Sequence, residues 1–357
     1  MRLYIKEQQA LNKKNIAVLF GGCSSEYSVS LLSVYSVLKN LDDEKYNKIL
    51  IGITKEGDWF RYYGSIDKIP DDKWLSDSDK LASVTVSLDR SVHGIIEYGK
   101  DGVSVTRIHC ALPILHGKNG EDGTVQGVFE LAGIPVAGCG SLGSSVCMNK
   151  HLAQRLAETV DVPVPKACLV YEGDGYENAH DFAKSIGYPI FVKPVKAGSS
   201  YGVTKILSDE ELDGAIDFAF KYDNVVMVEE AIEGIEVACA IMGNKELIVG
   251  EIDEVELTDG FYDFEAKYFP KSTHIHVPAR LDKAVREEIK ECAARLYKAL
   301  GCNGYARVDL FYTAKGVVFG EINTIPGFTE HSRFPAMMKA AGYSFSQVLD
   351  YFIENAK

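Results

Sequence analysis

Four polar side chains near the C-terminal end of the chain lie in two segments that are otherwise typical of buried strands. The first segment is YARVDLFY and the second is VVFGEIN. Arg307 and Asp309 are two residues apart, as are Glu321 and Asn323, so each pair shares one face of its strand. Carboxylates crowded inside an apolar sheet repel each other unless a cation lies between them, and hard oxygen ligands suit Mg2+. The pattern predicts either Mg2+ bound with nucleotide phosphates, where Arg307 faces a transferring phosphoryl group, or a buried salt-bridge cluster.

The loop between these two segments decides whether the carboxylates meet. Pairing Asp309 with Glu321 requires a hairpin loop with an odd number of residues. We predict a three-residue loop from Ala314 to Gly316, in which the glycine supplies the left-handed conformation that such loops need. Carboxylates on opposite faces of the sheet would exclude the metal site.

Two strand–glycine loop–helix patterns occupy the first part of the chain. Ile16 to Phe20 is a short apolar strand that leads into Gly-Gly and then into a helix near Glu26. The second loop, LHGKNGEDG, contains His116 and other titratable groups among three glycines, which is more typical of a site than of a connector. Repetition of the pattern up to about residue 138 predicts a small parallel sheet covered by helices. The G-x-G-x-x-G match that follows lacks the second strand and acidic residue of a dinucleotide fold, and the chain has no Walker A sequence.

Two lysines and a small-residue loop indicate phosphate binding in the middle of the chain. Lys150 lies near the start of a helix, and Lys193 lies inside an apolar strand, where an ammonium group is costly without an anion. Residues 197–200 (AGSS) offer backbone N–H and hydroxyl donors that can fold over phosphates. The alternative is a surface hairpin whose lysine extends to solvent.

An acidic turn and a long irregular segment follow. Glu229, Glu230 and Glu236 surround Ile232 between two strands. Backbone donors and acceptors, an apolar side chain and a carboxylate together suit adenine and ribose, and the same residues also fit an ordinary acidic turn. Residues 257–276 are aromatic and charged without a period, which predicts a lid or binding loop.

Composition limits the class of protein. The 357 residues predict two or three domains, and 46% hydrophobic with 25% charged residues is ordinary for a globular protein. The net charge of −13 and the lack of a long apolar run argue against nucleic acid or a membrane as partner. Eight cysteines without a CxxC pair lie mostly in apolar runs, which favours reduced thiols and a cytoplasmic location. Residues 1–14 are expected to form a polar extension without the apolar core of a signal peptide.

Several long motifs occur in an order that resembles the D-alanine–D-alanine ligase family of ATP-grasp enzymes. They are FGGCSSEYSVSL, LHGKNGEDGTVQGVFELAGIPVAG, KPVKAGSSYGVTK, EAKY, ARVDLFY and GEINTIPGFTEHSRFP, and the resemblance covers roughly residues 16–353. It implies an α/β (α+β), three-domain ATP-grasp fold. The implied domains are an N-terminal parallel α/β substrate domain at 15–138, a central ATP-grasp domain at 139–229, and a C-terminal catalytic domain at 230–357 with a lid loop at 257–276.

The resemblance also implies ATP and two Mg2+ ions, with Mn2+ as a substitute. Asp309, Glu321 and Asn323 would bind the metal. ATP would contact the two lysines, the AGSS loop, the acidic turn and the lid. The implied ATP-binding residues are Lys150, Lys193, Ser199, Ser200, Glu229, Glu236 and Lys267, together with the backbone of Glu230 and of Ile232.

The implied reaction forms an amide in two steps. The carboxylate of a first D-alanine attacks the γ-phosphate to give an acylphosphate, and the amine of a second D-amino acid then displaces phosphate. Glu26 would hold the first ammonium, and Arg307 with the backbone at Gly327 would stabilise the tetrahedral oxyanion. The implied catalytic residues are Glu26, Ser199, Tyr268 and Arg307, and the implied substrate-binding residues are Glu26, His116, Gly327, Ser332 and Arg333.

The residue after Ser332 bears on the second substrate. D-alanine–D-alanine ligases usually carry Leu or Met there, whereas the SRFP of this chain, with Arg333, resembles the vancomycin-resistance ligases. The intact EAKY separates the chain from D-lactate ligases and resembles the D-alanine–D-serine type. Because a guanidinium can hydrogen-bond a serine hydroxyl, we predict D-serine ahead of D-alanine. An ion pair between Arg333 and a lid acid is the structural alternative.

Other functions remain to be weighed against this one. They are a housekeeping D-alanine–D-alanine ligase, another ATP-grasp carboxylate–amine ligase, and a non-catalytic nucleotide or amino-acid sensor. A sensor predicts loss of a metal ligand or a phosphate-binding lysine, and none is missing. We expect a homodimer that acts on D-alanine and either D-serine or a second D-alanine.

Overall fold

The computed structural model describes residues 4–5, 13–99, 102–257 and 273–357. Most of the predicted N-terminal extension and of the predicted lid, including Lys267 and Tyr268, lies outside these residues. The strands are β1 (Tyr4–Ile5), β2 (Lys14–Gly21), β3 (Tyr46–Ile53), β4 (Trp59–Tyr62), β5 (Leu81–Val86), β6 (Gly94–Gly99), β7 (Gly102–Arg107), β8 (Cys110–Pro113), β9 (Ala167–Tyr171), β10 (Ile190–Pro194), β11 (Thr204–Ile206), β12 (Val225–Glu230), β13 (Ile235–Gly243), β14 (Leu247–Leu257), β15 (Thr273–His276), β16 (Tyr305–Thr313) and β17 (Gly316–Asn323). The helices are α1 (Tyr27–Asn40), α2 (Thr124–Ala132), α3 (Ser141–Met148), α4 (Lys150–Glu158), α5 (Glu177–Ile186), α6 (Leu212–Ala219), α7 (Lys283–Ala299), α8 (Arg333–Ala340) and α9 (Phe345–Glu354).

The first sheet, within the described ranges, has eight strands in the order β1-β7-β6-β5-β4-β3-β2-β8. β2 is parallel to β3 and to β8, as the repeated strand–loop–helix pattern predicts. From β3 to β7 the neighbours are antiparallel, an extension that the irregular sequence of residues 60–104 does not indicate. Ile16 to Phe20 are fully buried, which explains their unbroken apolar run.

The glycine turn after β2 fixes where α1 begins. Gly21 has a φ of 87°, and a Cβ at this position would lie 2.1 Å from the carbonyl oxygen of Ile53. Glycine therefore satisfies both the left-handed conformation and the close approach of the backbone. The chain turns sharply, and α1 starts immediately after Glu26.

The second sheet has four antiparallel strands in the order β11-β10-β12-β9. Alternate residues of β10 and β12, such as Val192 and Val228, face an apolar core that includes residues of α5 and α6. The residues between them face the other way, so Lys193 and Glu229 share the opposite face. The ammonium group in an apolar strand thus has an acidic neighbour.

The third sheet, counted over the residues that the structure describes, has five antiparallel strands in the order β15-β14-β13-β16-β17. Val308 and Leu310 of β16 pack in a core with residues of α7. The alternate residues Arg307 and Asp309 lie on the opposite face, the one against which α8 packs. This arrangement of sheets and helices confirms the predicted α/β ATP-grasp architecture, whereas the predicted bounds of the three domains stay a prediction.

The hairpin between β16 and β17 corrects the predicted loop. Thr313 pairs with Gly316, so the loop has two residues and not three. If the two-residue loop alone set the register of the hairpin, Asp309 would pair with Gly320, and Glu321 would point to the other face of the sheet. The register shifts at this point because Gly320 forms a bulge, and Glu321 pairs with Asp309. The predicted pairing is therefore present, but a bulge and not an odd-numbered loop produces it.

One apolar core joins the first sheet to the C-terminal helices. It includes Phe20 of β2, Tyr305 of β16 and Phe352 of α9, and the last two rings stack with their centroids 3.9 Å apart. The backbone N–H of Val136 also donates to the carbonyl of Lys357 at 2.8 Å. The turn that carries Glu26 and the strand that carries Arg307 are therefore held by the same core. Among the described residues, no helix combines the length and the apolar character needed to span a bilayer.

Candidate active site

The Glu26 carboxylate is enclosed by one hydroxyl and two glycine backbones. Ser199 donates its hydroxyl hydrogen to Oε1 of Glu26, which is almost fully buried. A Cβ on Gly117 would lie 2.3 Å from Oε2, and a Cβ on Gly198 would lie 2.8 Å from it. The predicted contact between Glu26 and Ser199 is thus present; Tyr268, its predicted third member, lies outside the described residues. After the role that the sequence predicts for Glu26, we use the name first-substrate site for Glu26, Gly117, Gly198 and Ser199.

The AGSS loop connects the first-substrate site to a lysine of α4. Ser199 and Ser200 have φ values of 47° and 59°, a left-handed conformation that few residues other than glycine adopt. The carbonyl of Ala197 accepts a hydrogen bond from Nζ of Lys150 at 2.6 Å. The same Nζ lies 3.5 Å from Oε2 of Glu321. Lys150 therefore lies between the small-residue loop and the acidic strand, where phosphates are predicted.

His116 is buried and uses both ring nitrogens. Nδ1 lies 2.9 Å from the carbonyl oxygen of Ile325, and Nε2 lies 3.0 Å from the hydroxyl of Ser33. Because a carbonyl can only accept, Nδ1 carries the hydrogen and Nε2 accepts from Ser33. Burial lowers the pKa of His116 to about 4, so the ring is neutral near pH 7. The structure places His116 as a bridge between α1 and the loop after β17.

Glu121 lies in the polar loop that also contains His116, and the sequence predicts no separate role for it. Its Oε2 accepts the backbone N–H of Gly117 at 2.8 Å. Burial, followed by the negative charge of Glu26, raises its pKa well above the ordinary value, and Glu321 adds to the effect. Glu121 thus orders the loop beside the first-substrate site and interacts electrostatically with two acidic site residues.

Arg307, Asp309, Glu321 and Asn323 form one cluster, here called the carboxylate patch. Arg307 pairs with Asn323 across the hairpin, as Asp309 does with Glu321. Nε and Nη2 of Arg307 donate to Asp309 at 2.6 Å each, and Nδ2 of Asn323 donates to it at 2.8 Å. Burial acts to lower the pKa of Arg307, but the charge and hydrogen bonds of Asp309 outweigh burial and raise it. All four predicted residues therefore lie on one face.

The donor set of the carboxylate patch suits Mg2+. In the described part of the chain no three His, Cys, Asp or Glu side chains form a metal site by themselves. Two carboxylates and an amide oxygen are hard ligands, and Mg2+ is usually held by few protein ligands together with waters and substrate phosphates. Asn323 would have to turn its amide so that the oxygen faces the metal.

The predicted adenine side of the site centres on Glu229. Its Oε2 lies 2.5 Å from Nζ of Lys193, and its Oε1 accepts from Nε2 of Gln154 at 2.6 Å. The backbone N–H of Glu230 donates to the carbonyl of Lys166 at 2.9 Å, and Oε2 of Glu230 accepts the backbone N–H of Lys166 at 3.2 Å. Ile232 lies in the loop between β12 and β13. Gln154 was not among the predicted site residues; its position one helical turn after Lys150 is the signal that indicates it.

Ser332 and Gly327 are adjacent in the loop before α8. Oγ of Ser332 accepts the backbone N–H of Thr329 at 3.0 Å, and a Cβ on Gly327 would lie 3.2 Å from this oxygen. The structure therefore brings together the hydroxyl predicted for the second substrate and the backbone predicted for the oxyanion.

Arg333 is buried at the start of α8 and forms ion pairs with strand residues. Its Nε and Nη2 donate to Asp253 at 2.7 and 2.8 Å, and its Nη1 donates to Glu236 at 3.3 Å. Burial acts to lower the pKa of Arg333, but Asp253 outweighs burial and raises it. Within the described residues, Arg333 thus forms ion pairs with strand acids of β13 and β14, and an ion pair with a lid acid stays a prediction. Glu236, predicted at the ribose, is one of these partners, and Asp253 was not foreseen.

Comparison with known proteins identifies the family. The model of the D-Ala–D-Ala ligase N-terminus matches residues 15–139, and that of the C-terminus matches residues 156–354. The chain belongs to the D-alanine–D-alanine ligase family. It is 43% identical to a D-alanine–D-alanine ligase of Caldicellulosiruptor bescii, over 97% of this chain and 96% of that protein. It is 42% identical to the vancomycin B-type resistance protein VanB of Enterococcus faecalis, over 96% of this chain and 98% of that one.

A solved structure extends the comparison to the fold. The VanG D-Ala:D-Ser ligase from Enterococcus faecalis has a TM-score of 0.88 and 49% identity, covering 96% of this chain and 99% of that chain. The D-alanine–D-alanine ligase of Coxiella burnetii has a TM-score of 0.83 and 29% identity, over 96% and 94% of the two chains. As a member of the family, the chain is an ATP-dependent ligase of D-amino acids, and the family generally uses Mg2+.

Proposed function

We propose that the chain activates the carboxylate of D-alanine with ATP and joins it to the amine of D-serine. One observation carries the proposal: Lys150 contacts both the AGSS loop of the first-substrate site and Glu321 of the carboxylate patch. The group that holds a D-amino acid, the loop that covers phosphates and the residues that suit a metal therefore converge at one place.

Each side chain has a defined part in this reaction. Glu26 binds the ammonium of the first D-alanine, and Ser199 orients the carboxylate of Glu26. Lys150 and Lys193 bind phosphates, so that the attacking carboxylate and the γ-phosphate are held in line. Mg2+ neutralises phosphate charge when it is bound by Asp309, Glu321 and Asn323.

The second step involves Arg307 of the carboxylate patch. The amine of the second substrate attacks the D-alanyl phosphate and releases phosphate. Arg307 and the backbone N–H of Gly327 stabilise the oxyanion of the tetrahedral intermediate. Ser332 binds the second carboxylate, and His116 holds the loop at Ile325. Lys267 and Tyr268, on the proposed lid, would keep water from the acylphosphate.

Arg333 and the comparisons support D-serine as the second substrate. Arg333 follows Ser332 in the chain, and Asp253 fixes its guanidinium. A charged donor group thus belongs to the segment that we propose binds the second substrate. The relative that is 49% identical to this chain is itself a D-Ala:D-Ser ligase. On the same grounds we propose a role in vancomycin resistance. The second candidate is D-alanine–D-alanine ligation, which the 43% identical relative favours.

The deciding experiment measures phosphate release with ATP, Mg2+ and D-alanine, with and without D-serine, and identifies the dipeptide by mass. Mainly D-alanyl-D-serine in the mixed reaction supports the proposal. Mainly D-alanyl-D-alanine would assign the second candidate, and ATP turnover that needs no D-amino acid would contradict both. The Asp309→Asn variant is the control, because it replaces a charged metal ligand by a neutral amide of nearly the same size and should lower phosphate release.

We further propose a cytoplasmic homodimer, since ATP and D-amino acid precursors are cytoplasmic substrates. Light scattering of the purified chain tests the assembly: the mass of one chain, 39.3 kDa, would contradict it.

A further inference from the structure

Two different donors hold the Glu229 carboxylate. Lys193, on the neighbouring strand, reaches one oxygen at 2.5 Å, and Gln154, on α4, reaches the other at 2.6 Å. Glu229 is 6% exposed and Gln154 is 0% exposed. The carboxylate is thus fixed at the bottom of the face where the nucleotide is proposed to bind.

The orientation of the Gln154 amide follows from its partner. A carboxylate can only accept hydrogen bonds at neutral pH, so Nε2 must face Glu229. Oε1 of Gln154 is then buried, and no described residue donates a hydrogen bond to it. A buried acceptor without a partner is unfavourable, and a glutamine that only fills the core would satisfy both ends of its amide. The nitrogen of the Gln154 amide thus donates to Glu229, while its oxygen has no donor among the described residues.

The two donors respond differently when a nucleotide binds. Lys193 is a long side chain on a strand, and its proposed partners are the phosphates. The phosphates, with their larger negative charge, compete with Glu229 for its ammonium. Gln154 is neutral and fully buried, and it lies on a helix, so it stays in place. After Lys193 turns to the phosphates, Oε2 of Glu229 has an open acceptor position, while Oε1 is still held by Gln154.

We propose that Gln154 is a positioning residue for adenine recognition: it fixes Glu229 so that Oε2 accepts a hydrogen bond from the 6-amino group of ATP. This inference rests on the proposed function, in which Glu229 binds adenine. It makes Gln154 a determinant of selectivity between ATP and purine nucleotides that lack a 6-amino donor. Without Gln154, Glu229 can rotate away from the base once Lys193 has left.

The test compares two nucleotides in two variants. The variants are Gln154→Met, which keeps the volume but removes the donor, and Arg155→Met as a matched control on the exposed side of α4. The nucleotides are ATP and purine riboside triphosphate, which has hydrogen in place of the 6-amino group. The measurement is KM for each nucleotide and kcat from phosphate release, with D-alanine and D-serine at saturation.

We expect Gln154→Met to raise KM for ATP about tenfold, the change that loss of one hydrogen bond to a charged group produces. KM for purine riboside triphosphate and kcat should stay within about twofold of the native values, and Arg155→Met should change neither. An equal rise in KM for both nucleotides would show a merely structural role, and no rise for either would show that Gln154 does not position Glu229. Both results overturn the proposal.

A second variant keeps the test decisive if Gln154→Met folds poorly. Glu229→Met, which removes the acceptor, should abolish the preference for ATP. A preference that persists in this variant would overturn the proposal. A native enzyme that uses both nucleotides equally would overturn the proposal. A native enzyme that releases no phosphate from ATP with D-amino acids would instead refute the proposed function, so the two failures are distinguishable.

Discussion

Glu321 lies directly opposite Asp309 because a single glycine, Gly320, bulges out of the hairpin. Without the bulge the two carboxylates would face opposite sides of the sheet, and the carboxylate patch would have one acid. A Cβ on Gly320 would lie 3.0 Å from the carbonyl oxygen of Asp309 and 3.3 Å from the ring of Phe311. The pairing of the two acids therefore depends on a position where a Cβ would already be tightly packed.

Gly320→Val should disturb this pairing. Overpacking in a tight site costs on the order of 1–3 kcal/mol. We therefore expect kcat to fall about tenfold or more, and the Mg2+ concentration that gives half-maximal phosphate release to rise. Mg2+ titration of phosphate release measures both effects. Gly99→Val is the control, since the nearest atom to its Cβ is an ordinary 3.7 Å away. Native Mg2+ dependence in Gly320→Val would contradict the role of the bulge.

Gly117→Ala should weaken binding of the first D-alanine. The position has a φ of 73°, and its Cβ would lie 2.3 Å from Oε2 of Glu26. An alanine in this conformation costs about 1–2 kcal/mol before the contact is counted, so KM for D-alanine should rise about tenfold or more. Steady-state kinetics at saturating ATP measure the change. Gly127→Ala on α2, where a Cβ meets nothing within 4 Å, should behave like the native enzyme.

Arg333→Met should change both stability and product. Removing one partner leaves Asp253 buried without its cation, which costs about 3–5 kcal/mol of the free energy of unfolding. Urea denaturation measures this loss, and the mass ratio of the two dipeptides should shift from D-serine towards D-alanine.

The double variant Arg333→Met with Asp253→Leu separates the two effects of Arg333. It replaces the Arg333–Asp253 pair by apolar groups, while Glu236 loses a partner and the backbone N–H of Ala238 loses its acceptor Asp253. Stability should therefore return in part while the product ratio stays shifted. A double variant with the native product ratio would show that Arg333 does not select the second substrate.

Acid should destabilise the fold through His116. Burial lowers its pKa to about 4 in the folded chain, whereas the pKa of a histidine in an unfolded chain is about 6.5. Between these values the unfolded chain binds a proton that the folded chain excludes, so the free energy of unfolding falls as the pH is lowered through this window. His116→Asn should make the dependence shallower in urea denaturation between about pH 4 and 6.5.

His180 provides a control of opposite sign. Hydrogen bonds to Asp209 and then to Asp213 raise its pKa above the ordinary value. Its contribution is fully present below the unfolded pKa and is lost as the pH rises through the folded pKa. His180→Asn should therefore remove stability at low pH and leave the acid slope of His116 unchanged. An identical effect of both variants would contradict the assignment.

The alternation of side chains along a strand made much of the carboxylate patch predictable. Arg307 and Asp309 share a face because they are two residues apart. One extra residue, either in the loop or in the second strand, then brings Glu321 opposite Asp309. The source of that shift could not be predicted, because a glycine in the loop and a glycine in the strand provide it equally well. Local sequence constrains the face and the partners but not the position of the extra residue.

Partners distant in sequence were beyond prediction. Arg333 meets Asp253, which is 80 residues away, and His116 meets Ser33 and Ile325 through packing of separate elements. A buried charge or a buried ring requires some partner, but only the fold decides which residue supplies it. The sequence therefore indicated that these side chains are unusual without indicating what satisfies them.

Because Phe20 shares one core with Tyr305 and Phe352, we expect the Glu26 turn and the Arg307 strand to unfold together. The four-stranded sheet that carries Lys193 and Glu229 has a separate core of its own. Local opening of that sheet can release a nucleotide while the amino-acid side of the site stays folded. Amide hydrogens of β10 and β12 would then exchange faster than those of β2 and β16, and ATP would slow the first pair selectively.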